Sequence, residues 1–355
     1  MIKRKSNVNF ILQSLIILLS VMIIMSGTTL AAEAQEKYDL RMYSASETGS
    51  TYASMTSWTT IIKNFKPEIW RDVNVIPSAG PYAGFRAFSQ GQAEGTYANV
   101  LQMKELWNSI GNFEDNPIPE NKRALLGPCL WTHQNWIITK ADSDDIETMW
   151  DLEGKKVSFC LPGYNAEKIA SKINDTLEIG MEKVFIEMDA IADALRDGVI
   201  DAVWAYSTSG FSTPSWFREL ELRMDAKVIP LTEKDVNLIS EEVEGISTTQ
   251  IELKNISDRI EGPEKFAVPN MGIFWVFSPD LPEQAAYEIC EALYEKREEV
   301  ADSYAAGVIW EETPFELQKV HMSVASDMGL PMHPGVAKWL KDNNVWNEEW
   351  IVGEK

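Results

Sequence analysis

Histidine and cysteine are scarce in this chain, with three of each. His133, His321 and His333 stand far apart, and so do Cys129, Cys160 and Cys290. No CxxC pair and no Cys/His cluster occurs, which argues against a metal site or a disulfide-dense scaffold. The three thiols are read as small buried residues, with a single bridge as the alternative in an oxidising compartment. G-x-S-x-G, H-E-x-x-H and Walker-type loops are missing too, so the common hydrolase, zinc-protease and nucleotide-binding signatures are absent. Positive charge is also short: 32 Lys and Arg face 54 Asp and Glu, a formal net charge of −22. So acidic a surface speaks against nucleic acid or anionic lipid as a general electrostatic partner. No cofactor, no metal and no catalytic residue is expected.

Long apolar runs are confined to the N-terminus. Lys3, Arg4 and Lys5 precede an apolar stretch from Phe10 to Ile24, and Ala32 and Ala34 form an A-x-A site. This is the layout of a secretory signal peptide over residues 1–34, with an uncleaved anchor as the alternative. Its removal takes away Lys3, Arg4, Lys5 and Glu33 and leaves the chain more acidic still. No Cys follows the run to carry a lipid. The mature protein is expected to be exported to the periplasm, and to be a monomer.

What the chain does have is a phrase that it repeats. Phe88 to Asn99 reads as a helix end, a Gly stop, an acidic turn and a short strand, and Leu195 to Tyr206 reads the same way. Gly91 matches Gly198, Glu94 matches Asp201, and Tyr97 matches Trp204. Gly just past a helix accommodates the left-handed cap conformation, and the two acids read as turn residues. Each phrase ends a strand–helix–strand–helix–strand run, which implies parallel pairing. The expected fold is therefore α/β with two similar lobes, each a mostly parallel sheet flanked by helices, and a ligand cleft between them. Residues 35–130 form the first lobe and 131–244 the second, with 245–355 returning to the first. Ala124 to Thr139 is extended and apolar and is read as the crossing between lobes. Further on, Ala285 to Tyr304 reads as one long helix whose face of Glu288, Glu291, Glu295, Lys296 and Glu298 is solvated, and a tail around His333 closes the chain.

Candidate ligand-binding residues gather where strands hand over to helices. Ser46, Gly49, Ser50, Thr51 and Tyr52 open a helix in the first lobe, and Gly163, Tyr164 and Asn165 open one in the second. Free backbone N–H groups and the helix dipole favour an anion at such ends; ordinary capped helices are the alternative. Tyr52, Tyr82, Tyr97, Trp131, Tyr164, Trp204 and Tyr206 supply apolar walls with polar handles, or else core. Asn99 and Ser207 stand at strand ends. Arg86 is a candidate carboxylate clamp, although it sits two turns into its helix. His133 is read as a structural histidine.

Four motifs in this order and spacing resemble the TAXI family, the extracytoplasmic solute receptors of TRAP transporters. They are Gly49-Ser50-Thr51-Tyr52, Asp151 to Val157 before Pro162-Gly163, Ala194 to Ala202, and Met332 to Val336. The likeness runs from about Tyr38 to Asn343. It implies a two-lobed periplasmic binding protein that closes on a small organic anion, such as a dicarboxylate or an amino acid. That anion is then delivered to the membrane subunits of an ion-driven TRAP permease. A ligand-sensing protein, or an enzyme on the same scaffold, are the other readings of such a chain. Two stretches depart from the family pattern. Ser78-Ala79-Gly80-Pro81-Tyr82 stands where Gly-Gly-Ser is usual, and Pro162-Gly163-Tyr164-Asn165 where Pro-Gly-Ser-Gly-Thr is usual. Each brings in a Tyr, which fits either a bulkier, more apolar ligand or a narrower pocket.

Overall fold

In the computed structural model, residues 37–45, 47, 50–162 and 164–354 are described. The expected signal peptide lies outside them, as do Ser46, Gly49 and Gly163. The first half runs β1 (Tyr38–Tyr43), α1 (Ser50–Phe65), β2 (Trp70–Ile76), α2 (Pro81–Ser89), β3 (Gly95–Asn99) and α3 (Val100–Asn108). A long strand, β4 (Leu125–Lys140), leads to β5 (Lys156–Ser158), α4 (Asn165–Thr176), β6 (Glu182–Val184), α5 (Ile191–Arg196) and β7 (Ala202–Thr208). Then come α6 (Ser215–Arg223), β8 (Ala226–Ile229), α7 (Glu233–Glu242), β9 (Ser247–Glu252), α8 (Leu253–Ile256) and a second long strand, β10 (Lys265–Phe277). The chain ends in α9 (Glu283–Glu295), α10 (Arg297–Ser303), α11 (Val308–Glu312), α12 (Pro314–Asp327) and α13 (Pro334–Asp342).

The strands form one mixed sheet ordered β2-β1-β3-β10-β4-β7-β5-β6, with β8 on β4 and β9 on β10. β1 is parallel to β2 and β3, and β5 is parallel to β6 and β7. Between these two parallel ends lie β4 and β10, antiparallel to each other and to their outer neighbours. Both strands are buried along nearly their whole length, including the polar stretch Thr132 to Asn135 of β4. The β4–β10 pairing is irregular between Ile273 and Phe274 and again between Phe274 and Val276. Helical side chains take up the freed backbone there. Cys129 N donates to Gln318 Oε1 at 2.8 Å, Gln318 Nε2 donates to Cys129 O at 2.9 Å, and Trp310 Nε1 donates to Leu130 O at 2.8 Å. One apolar core runs along the sheet under α1, α4 and α9, with Trp58 edge-on to Trp131 at 5.3 Å and to Trp275 at 6.4 Å. A second core, around Trp136, Val203, Leu195, Trp216 and Phe217, also takes in Ile251, Ile256 and Phe266. β9 and the start of β10 thus pack with the second-half elements, beyond the residue-244 boundary drawn from sequence.

The repeated phrase folds twice into the same hydrogen-bonded turn. Gly91 and Gly198 both sit at φ 72. Gln92 N donates to Ala87 O and Val199 N to Ala194 O, each at 2.9 Å, closing each helix end. The carboxylate of Glu94 accepts from Arg41 N at 2.7 Å, and that of Asp201 from Lys156 N at 2.8 Å. Each acid therefore ties its turn to the neighbouring parallel strand.

Two expectations for the last third are corrected. The long helix is broken: α9 stops at Glu295, Lys296 leaves helical geometry (φ −106, ψ 23), and Arg297 donates to the Tyr294 carbonyl at 2.9 Å. Its acidic face is not uniformly solvated either. Glu288 is buried against Lys66, just past the end of α1, and Glu291 accepts from the Trp339 indole at 2.9 Å, because α1 and α13 pack on that side. The His333 tail is likewise the cap of a helix. Its Nδ1 accepts from Gly335 N at 3.2 Å, and a Cβ at Gly335 would meet Glu283 O at 2.1 Å, so Gly permits α13 to seat against α9. Among the described residues no helix is long and apolar enough to cross a membrane.

Candidate functional site

Where the helix starts of both halves face the C-terminal ends of the strands, they enclose a cavity of about 460 Å³. That is the size range of small-molecule sites. Thr51 comes from the first turn of α1. Ser78, Ala79, Gly80 and Pro81 come from the turn into α2, and Tyr164, Asn165 and Ala166 from the start of α4. Tyr97 rises from β3, Gln102 from α3, Trp131 and His133 from β4, and Tyr206 and Thr208 from β7. Tyr304, just after α10, closes the wall, with Ala45 beside it. Its ring lies 6.1 Å from that of Trp131.

Backbone donors are the main positive features of this cavity. α2 and α4 start without any side-chain cap hydrogen bond, with the positive ends of their dipoles toward the cavity; in α2 Pro81 has no N–H and Ala83 and Gly84 donate to Gly80 O, so Tyr82 N is the donor left there. Gly80 holds φ 112 ahead of Pro81, a conformation that a side chain would strain. Ser78 fixes that turn, its hydroxyl donating to Ser44 O and accepting from Gly80 N at 3.1 Å. Among the described residues no charged side chain lines the cavity. Burial pushes the Tyr97 phenol up to about 12 and raises Tyr206 as well, so both remain neutral donors. Burial lowers His133 to about 4, leaving a neutral imidazole near pH 7. Its ring packs edge-on against Tyr206 at 4.8 Å, and its Nδ1 is buried with no protein partner. No group of three or more His, Cys, Asp or Glu positioned to hold a metal occurs among the described residues, and all three cysteines are free and buried.

Of the candidates drawn from sequence, Thr51, Ser78, Tyr97, Trp131, Tyr164, Asn165 and Tyr206 come together here. Ser50 begins α1, but its side chain is outside the described set, as are Ser46, Gly49 and Gly163. The others sit elsewhere, for identifiable reasons. Tyr52 follows Thr51 on α1 and turns off the face that Thr51 presents to the cavity. Tyr82 donates to Glu105 Oε2 at 2.8 Å and packs on Phe113. Arg86 is on the same outer side, its guanidinium 4.9 Å from the Phe113 ring and donating to Asn112 O at 3.3 Å, so it is no clamp for a ligand in this cavity. Trp204 lies earlier on β7 than the lining residues Tyr206 and Thr208, fully buried, with its indole N–H on Met181 Sδ at 3.4 Å. Ser207 donates to Gln134 Oε1 at 3.1 Å inside the sheet. Asn99 caps α3 and lies just behind the wall.

Gln102, His133, Thr208 and Tyr304 were not among the sequence candidates. Asn99-x-x-Gln102 is a capping-box spacing and was readable as such. His133, read from sequence as a structural histidine, lines the cavity, and its Nδ1 has no protein partner. Tyr304 has no local signal, because it reaches the cavity through a contact distant in sequence: Ser209 Oγ donates to Ala306 O at 3.1 Å.

Residues 42–343 match the NMT1-like family. Among solved structures, the chain is similar to the periplasmic sulfonate-binding protein SsuA from Methylobacillus flagellatus KT. The identity is 13% and the TM-score 0.50, over 90% of this chain and 99% of that one. Weaker likenesses include XAC2383 from Xanthomonas citri, at 8% identity and TM-score 0.45 over 82% and 98% of the two chains. The periplasmic aliphatic sulphonate binding protein SsuA from Escherichia coli is another, at 11% identity and TM-score 0.42 over 86% and 84%. The fold is the α/β fold of periplasmic binding proteins.

Proposed function

This chain belongs to the NMT1-like family, and on that premise we propose that it is an extracytoplasmic solute receptor. It binds a small organic anion in the cavity and passes it, as a periplasmic monomer, to the membrane subunits of a TRAP-type permease. The observation that carries the reading is the meeting of uncapped helix starts from both halves of the chain, at α2 and α4, on one aromatic-walled cavity. Backbone donors there hold a carboxylate without a counter-ion, while Tyr97, Tyr164, Tyr206, Tyr304 and Trp131 give its carbon body an apolar, hydrogen-bonding surround. The TRAP partner rests on the sequence motifs alone, and the periplasmic location on the N-terminal segment and the fold. The Ser78 hydroxyl is committed to Ser44 O and Gly80 N.

Thermal-shift measurement against a panel of carboxylates, amino acids and sulfonates tests the reading. A ligand present at 100 times its Kd stabilises the folded protein by about 2.7 kcal/mol. A panel with no stabilising compound, and no small acid released on denaturing the purified protein, overturns it. Uptake of the bound compound that persists in a deletion strain removes the transport role and leaves binding alone.

A further inference from the structure

We propose that the cavity selects acids carrying a single negative charge and discriminates against amino acids and dicarboxylates. This rests on the receptor reading above and narrows it. The binding wall is polar throughout, yet its polar groups are neutral: Thr51, Ser78, Gln102, His133, Asn165 and Thr208. Glu47, in the turn between Ala45 and Thr51, is exposed to solvent and is not a lining residue. Glu105 of α3 is not among the lining residues. Glu105 accepts from Tyr82 and from Asn112 Nδ2 and lies 3.7 Å from Lys168.

Each half of the ligand therefore meets a definite environment. One carboxylate is matched by helix starts, each worth about half a positive charge. A second carboxylate has no guanidinium or ammonium to meet, because Arg86 lies over Phe113 on the outer side of α2. Among the described lining residues an α-ammonium has no carboxylate to meet either, and leaving a charge without a partner away from water is strongly unfavourable. Nor do the rings form an open cage around a cation. His133 packs edge-on against Tyr206 at 4.8 Å, and Trp131 lies tilted against Tyr304 at 6.1 Å, so these four rings are engaged in pairs. The wall also carries His133, a neutral imidazole whose Nδ1 is buried without a protein partner.

Calorimetric titration of the purified mature protein with two matched series tests this. One series is 3-phenylpropionate, phenylpyruvate, L-phenylalanine and benzylsuccinate. The other is 4-methylpentanoate, its 2-oxo derivative, L-leucine and isobutylsuccinate, with L-glutamate and 2-oxoglutarate added. The expected result is binding of a monocarboxylate in at least one series, with the amino acid and the dicarboxylate of that skeleton weaker by about thirty-fold or more. An amino acid or dicarboxylate binding as tightly as its monocarboxylate partner overturns the inference and leaves the receptor reading standing. If none of these compounds binds and denatured protein releases no small acid, the receptor reading falls and the inference falls with it. If denatured protein releases an acid, its charge decides the question: a monoanion supports the inference, and a zwitterion or dianion overturns it.

Discussion

The side-chain amide of Asn99 donates to Asn165 Oδ1 at 2.8 Å, joining the cap of α3 to the first turn of α4 across the two halves of the protein. The other end of the same side chain accepts from Gln102 N at 2.9 Å. One residue thus caps a helix behind the cavity and links two helix starts. Asn99→Ser keeps a capping oxygen and loses the link, while Asn99→Ala loses both. We expect Asn99→Ala to lower stability by about 1 kcal/mol more than Asn99→Ser in urea titrations. Both should weaken ligand binding and raise the radius of gyration of the unliganded protein. A compact Asn99→Ser variant with unchanged affinity shows that the link has no part in closure.

Tyr164 caps α4 with its backbone and leaves its ring 49% exposed at the mouth of the cavity. Tyr164→Ala is expected to weaken binding about ten-fold or more while moving stability by no more than roughly 0.5 kcal/mol. A variant that melts early places this ring in the structural framework instead.

Glycines in this fold divide by the reason for their presence. Gly91 is at φ 72 with open space around it, so Gly91→Ala pays only the left-handed strain, about 1 kcal/mol. Gly84 on α2 has no such φ, but a Cβ there would lie 2.3 Å from Thr96 Oγ1 of β3. Gly84→Ala should therefore destabilise by the larger amount, toward 3 kcal/mol. Chemical denaturation of the two variants reads the order directly.

His321 is buried, 3.3 Å from Asn270 Nδ2, and burial lowers it to about 4 from 6.5. The unfolded chain then takes up its proton first as pH falls, so the folded state loses stability from about pH 6.5 down to about pH 4. His133 acts in the same direction. We expect urea midpoints to decline across that window, and His321→Gln to flatten the decline by an amount on the order of 2–3 kcal/mol at its lower end. An unchanged slope shows that His321 is already protonated in the fold.

Cys129, Cys160 and Cys290 are buried, and burial raises all three thiols above their usual range. A thiol reagent is expected to titrate none of them in the native protein and all three after unfolding. Rapid labelling of native protein at any one of them contradicts the packing described here.

The elements that were legible from sequence are those whose signals are local. A Gly stop followed by an acid marked both turns, because left-handed φ and a strand-pinning carboxylate each leave a residue-level trace at Gly91, Gly198, Glu94 and Asp201. The starts of α1, α2 and α4 were readable for the same reason. Side-chain direction was not. Thr51 and Tyr52 are neighbours in sequence yet only Thr51 lines the cavity, and Arg86 points away because the partner of its guanidinium, Phe113, arrives on a later loop. Tyr97 and Trp204 matched as letters, but only Tyr97 reaches the cavity. Tyr304 and the burial of Glu288 depend on segments that meet only in three dimensions.

Gln318 and Trp310 grip β4 at its irregular stretch beside Cys129 and Leu130, while the same strand continues past Trp131 and His133 to pair with β7. Beyond that grip Trp131 and His133 stay paired with Ile273 and Met271 of β10, and His133 also with Thr208 of β7. Two lining side chains therefore stand on the backbone stretch where both long strands and β7 meet, so a ligand seated against them touches the seam between the halves directly, with no relay in between.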